Sequence, residues 1–152
     1  MAKKKANKPR KILCYIDLSK SSRYIIEYAK QIADLTGAEV YFLHSVTDLS
    51  KFAGFYVPHM STDGLSGEMM KAARDKLYAI CMQTIGEVDA SKRIVKEGDP
   101  IDAIYEEIDR LGADLLVIGH EYKTFSFFKE DYVARYLKNP SCPVLVIPLS
   151  GE

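Results

Sequence analysis

A chain of 152 residues, 47% of them hydrophobic, is long enough for one domain with a sizeable core and needs no disulfide to fold. Its 21 lysines and arginines balance 21 aspartates and glutamates, so the charge gives no reason to expect nucleic acid or an anionic membrane as the main partner. No apolar run approaches the roughly 20 residues that a membrane-spanning helix needs.

Residues 1–10 include Lys3, Lys4, Lys5, Lys8 and Arg10 and read as a disordered basic arm; the alternative is a weak electrostatic anchor for an acidic partner. No apolar segment of signal-peptide type follows, so a cytoplasmic protein is expected. The single folded domain is expected over residues 11–150. The first strand covers residues 11–16 and ends at Asp17. Ser19 to Ser22 supply N-cap candidates for a helix whose apolar residues recur at helical spacing up to Leu35, and Gly37 closes it. A second strand runs from Val40 to about Val46. Both strands are continuous apolar runs, the pattern of a parallel sheet covered on both faces.

Residues 47–67 show no clear period and read as a long connection, with a helix from near Glu68 to Ile85 after it. Residues 93–97 form a more polar strand, expected at a sheet edge. Gly98-Asp99-Pro100 is an economical helix start: Asp99 caps and Pro100 fits the first helical position. Ile101, Ile104, Tyr105, Ile108 and Leu111 form the buried stripe, and Gly112 ends the helix. A strand over residues 115–118 leads into Gly119. After an unusual loop comes a short helix with Val133, Ala134, Tyr136 and Leu137, then a proline-bounded turn and a last strand, Val144-Leu145-Val146-Ile147.

Strands thus alternate with helices, which argues an open, doubly wound parallel sheet with a ligand crevice beyond the carboxyl ends of its strands. Asp17 and Gly119 would face that crevice if their strands are adjacent. The loop after Gly119 lies where a glycine-rich turn would cradle a phosphate with backbone N–H groups. Here it carries Phe125, Phe127 and Phe128 together with Glu121, Glu130 and Asp131. Each of those charges would oppose a phosphate charge at ~4 Å by about 4 kcal/mol at an effective dielectric near 20. Lys123 and Lys129 offset part of this.

Taken together these segments resemble the universal stress protein family over residues 11–149. The resemblance is carried by residues 12–17 with Ser19 and Ser22, by Leu43-His44-Ser45-Val46, by Glu97-Gly98-Asp99-Pro100 with Ala103-Ile104, by residues 113–119, and by Cys142-Pro143-Val144-Leu145-Val146. It implies a Rossmann-like five-stranded sheet of order 3-2-1-4-5. It also implies a homodimer in which Val144, Leu145, Val146 and Ile147 pair with the same strand of a second copy. ATP-binding members place an acid at the Asp17 position and backbone near Val46 against the nucleoside, and follow the first loop glycine with a second and with a late Gly-Ser or Gly-Thr. Only Asp17 and Gly119 match. Tyr122 stands at the second glycine, and Asp131 and Tyr132 stand at the late pair.

The resulting expectation is a cytoplasmic, dimeric, non-catalytic stress-response or regulatory protein with a degenerate ATP-binding loop and no cofactor. It would act through a protein partner or a ligand other than ATP. The alternative is an adenine-nucleotide (ATP or AMP) binder that uses Asp17, Val46, Gly119 and His120 with a rearranged loop and slow hydrolysis. Individual residues carry bland readings beside the sharp ones. Asp17 either meets a ligand or caps the next helix, and Gly119 either lets backbone approach a ligand or makes a tight turn. The three phenylalanines plug the crevice, face a partner or pack locally. Tyr122 and Tyr132 stack on a ligand or serve the structure. His44 reads as a core histidine. Neither His44, His59 and His120 nor Cys14, Cys81 and Cys142 have metal-ligand spacing, and the cysteines read as free thiols. No nucleophile comes with a base and an oxyanion turn.

Overall fold

The computed structural model describes residues 7–46, 62–121 and 131–149, with side chains from 66 onward in the second of these segments. Five parallel strands form one sheet in the order β3-β2-β1-β4-β5. They are β1 (Lys11–Tyr15), β2 (Glu39–Val46), β3 (Arg93–Glu97), β4 (Leu115–Glu121) and β5 (Val144–Leu149). β1 sits at the centre, with Leu13 opposite Tyr41 of β2 on one side and Leu116 of β4 on the other. Ile12, Leu13 and Cys14 are fully buried, as a strand flanked and covered on every side requires.

Helices α1 (Ser22–Thr36) and α2 (Thr62–Ile85) cover one face, where Ile26, Ala29, Leu77 and Cys81 pack on Cys14 and Phe42. Helices α3 (Pro100–Leu111) and α4 (Tyr132–Leu137) cover the other, where Ile104, Ile108 and Tyr136 pack on Leu13, Leu43 and Leu116. Each fully buried Leu, Ile or Phe contributes about 1.5–3 kcal/mol of transfer free energy, so this two-sided core holds the sheet in register. The winding reverses between β1 and β4. Asp114 secures that junction by accepting from the backbone N–H of Arg10 at 3.0 and 2.9 Å and of Lys11 at 3.1 Å. The arm is therefore fixed to the sheet at its last residue.

Local chemistry explains the helix ends. α1 stops at Gly37, whose φ of 77° is the left-handed conformation that favours glycine. Asp99 caps α3 by accepting from the N–H of Asp102 at 3.2 Å, ahead of Pro100 in the first turn. Two boundaries differ from the sequence reading. α2 begins at Thr62 rather than near Glu68, so Gly64 and Gly67 lie inside it. A helical glycine is less favourable than alanine by about 1 kcal/mol, and the packing of the later turns overrides that preference. A short 3-10 helix, Ala90–Lys92, precedes β3; Asp89 caps it by accepting from the N–H of Ser91 at 3.1 Å. The three cysteines are free thiols, Cys14 and Cys81 buried in the α1–α2 face. β3 and β5 are the two edges, and Val144, Leu145 and Val146 of β5 are half-buried.

Candidate functional site

Beyond the carboxyl ends of β1 and β2 lies a cleft of about 420 Å³. Strand ends supply Tyr15, Asp17, His44, Ser45 and Val46. Met69, Ala72 and Ala73 of α2 close one side, and Pro100 of α3 and Tyr132 of α4 close the other. The cleft thus spans both helical layers beyond the carboxyl ends of the strands, the side on which open α/β sheets bind ligands.

Asp17 stands on a strained turn. Leu18 has φ of 63°, and a bulky residue adopts that conformation only where its surroundings hold it. The Asp17 carboxylate holds this turn by accepting from the N–H of Ser19 at 2.9 Å and from the hydroxyl of Ser22 at 3.3 Å, both at Oδ1. It therefore organises the approach to α1, whose own N-cap, Ser21, makes no side-chain cap hydrogen bond. The buried hydroxyl of Ser19 has no hydrogen-bond partner among the described residues.

His44 is half-buried, with Nδ1 2.6 Å from the carbonyl oxygen of Ile16. A carbonyl can only accept, so Nδ1 carries a proton and Nε2 of the neutral ring is an acceptor. Burial pushes the His44 pKa down, opposed by the hydrogen bond to Ile16 and by the charge of Asp17. The ring stacks on Tyr15, with centroids 6.5 Å apart and 24° between planes. Tyr132 meets Tyr15 edge to face at 6.3 Å and 60°. Burial, followed by the charges of Tyr132 and Asp17, pushes the Tyr15 phenol well above its ordinary value, so it stays protonated.

The floor and rim are tied by polar contacts. The Ser45 hydroxyl donates to the Gly98 carbonyl at 2.7 Å, and the Gly98 N–H donates to the Val46 carbonyl at 2.8 Å. Gly98 holds this bridge at φ of 132°. Next to it, Asp99 receives a two-pronged contact from Arg135 of α4, 2.9 Å on each oxygen. Asp131 caps α4 by accepting from the N–H of Ala134 at 3.0 Å, and its carboxylate lies 3.7 Å from Nδ1 of His120.

The residues singled out from sequence separate into two groups. Asp17 and Val46 line the cleft. Gly119 lies within β4 opposite Ile147, and a Cβ there would stand 2.7 Å from Ile25 Cδ1 and 2.8 Å from Leu149 Cδ1. It accommodates α1 and β5, not a turn. His120 pairs with Pro148 and meets Asp131, outside the cleft's lining. Phe125, Phe127, Phe128 and Tyr122 lie outside the described residues. Sequence reasoning treated His44 as core and passed over Tyr15, Ser45, Met69 and Pro100. The available signal was positional for Tyr15, His44, Ser45 and Pro100, at strand or helix ends, whereas Met69 lies two turns into α2. Among the described residues no group of three or more His, Cys, Asp or Glu side chains could hold a metal.

Residues 8–148 match the model of the Universal stress protein family. Universal stress protein A homolog 2 of Coxiella burnetii is 25% identical over 145 residues, 94% of this chain and 97% of that protein. Among solved structures, the hypothetical protein MJ0577 superposes with a TM-score of 0.71 at 22% identity, covering 94% of this chain and 98% of that one. A universal stress protein solved in complex with cAMP superposes with a TM-score of 0.58 at 22% identity, covering 93% and 98%.

Proposed function

Because this chain belongs to the universal stress protein family, we propose that it is a non-catalytic, cytoplasmic regulatory member whose cleft binds a ligand lacking a polyphosphate. The observation that carries this reading is the carboxylate of Asp131 on the N–H of Ala134. An anion is already placed at the start of α4, where a phosphate would otherwise draw on free backbone N–H groups. The guanidinium of Arg135, the side chain in α4 best suited to a phosphate, is engaged by Asp99. Glycines that would let backbone close around phosphates are missing from the loop that follows Gly119. The protein acts as a homodimer through β5, and Phe125, Phe127 and Phe128 are candidates for contact with a protein partner.

A second reading is an adenine-nucleotide binder using Asp17, Val46, Gly119 and His120, supported by the cAMP-bound neighbour. One experiment separates the two. The protein is purified, denatured and assayed for released nucleotide, and then titrated with magnesium ATP and with adenosine by calorimetry. The expected result is no stoichiometric nucleotide and no ATP binding in the low micromolar range, which is about −8 kcal/mol. Tight ATP binding would establish the second reading in its place.

A further inference from the structure

We infer that the cleft between Tyr15, His44 and Tyr132 is built for a small organic cation, a protonated amine on an apolar or aromatic body. This rests on the reading above that the ligand is not a polyphosphate, and it names the ligand's chemistry. The argument is an account of donors and acceptors. His44 has its N–H on the Ile16 carbonyl and turns only an acceptor nitrogen to a ligand. Ser45 has its hydroxyl proton on Gly98. Among the described residues, the Asp17 carboxylate accepts only from its own turn, at one oxygen. Asp17 and His44 thus offer acceptors, beside the Tyr15 hydroxyl, which burial keeps protonated and able to donate, and a ligand that meets both acceptors supplies N–H donors.

Charge and shape agree with this. Asp17 lines the cleft, while Asp99 and Asp131 immediately precede the lining residues Pro100 and Tyr132. Among the described residues no lysine or arginine lines it. Arg135 is held by Asp99, and Lys96 is held by Glu106 and Glu107. Lys20 and Lys76 are exposed, and neither lines the cleft. The remaining lining residues are Tyr15, Val46, Met69, Ala72, Ala73, Pro100 and Tyr132, with one face of the Tyr15 ring stacked on His44. Aromatic faces attract a cation through their quadrupole, and more so where water is partly excluded. The exposed carboxylate of Asp17 would repel an anion of the same shape.

A charge-matched series tests the inference. The full-length protein is titrated by calorimetry with 2-phenylethylammonium, with 2-phenylethanol and with phenylacetate. These share one ring and differ in the charge of the terminal group. The ammonium is expected to bind about tenfold more tightly than the alcohol, equivalent to about 1.4 kcal/mol, with phenylacetate weakest. Asp17→Asn retains an oxygen for the Ser19 turn and is expected to remove that preference. The inference is overturned if the ammonium fails to saturate at millimolar concentration, if the alcohol or the acid binds equally well, or if Asp17→Asn leaves the preference intact. Adenosine and magnesium ATP serve as separate arms. Adenosine binding without ammonium binding removes this inference alone, whereas tight ATP binding removes the reading it rests on.

Discussion

Gly119 illustrates how one residue type can satisfy two readings. Its place after an apolar strand suggested either backbone approach to a ligand or a tight turn, and in the structure it lies within β4 against Ile25 and Leu149. Gly119→Ala is expected to destabilise the fold by about 1 kcal/mol through overpacking, measured as a lower urea midpoint with unchanged slope. Adding Ile25→Val removes the nearest methyl and should make the alanine substitution less costly than in the native background, with the Leu149 contact at 2.8 Å remaining. Failure of that rescue would mean that the glycine serves something other than packing. Asp17 was legible from sequence as an acid at a strand end, and both of its roles, turn and cleft, meet in one side chain. His44 was not legible. Periodicity marks a strand residue as buried but not which side of the strand end opens to solvent, and the tautomer follows only from the Ile16 carbonyl.

At the level of elements, boundaries written in consecutive residues were read correctly. Asp99-Pro100 and Gly112 bracket α3 because capping is local chemistry. The start of α2 was hidden by two glycines, whose unfavourable propensity the tertiary packing overcomes. The turn between α4 and β5 shows a lock that no local rule announces. Tyr136 is fully buried, donates to the Cys142 carbonyl at 2.8 Å, and accepts from the N–H of Ser141 at 3.2 Å and of Cys142 at 3.0 Å. Its ring also stacks on Tyr105 of α3 at 5.7 Å. Tyr136→Phe keeps the ring but leaves these backbone groups unpaired, so a loss of about 1–3 kcal/mol is expected in chemical denaturation. An unchanged midpoint would show that water replaces the hydroxyl.

For the whole molecule, the strand order 3-2-1-4-5 and the two-layer cover agree with the expectation from family resemblance. The cleft itself was only partly legible, because its walls come from residues up to 117 positions apart, Tyr15 and Tyr132 among them. Only the crossing of β1 to β4 brings them together. The half-buried apolar residues of β5 leave an edge that a second copy would cover, as an open apolar edge favours association. Sedimentation at micromolar concentration is expected to give the dimer mass, and a monomer throughout the dilution series would rule that assembly out. A last consequence follows from the Asp99 carboxylate, which closes the start of α3 and clasps Arg135 of α4. Its neighbour Gly98 grips Ser45 and Val46. The two helices and the strand end are therefore tied in series, and a partner that tugs on α4 would pull on the end of β2 that lines the cleft.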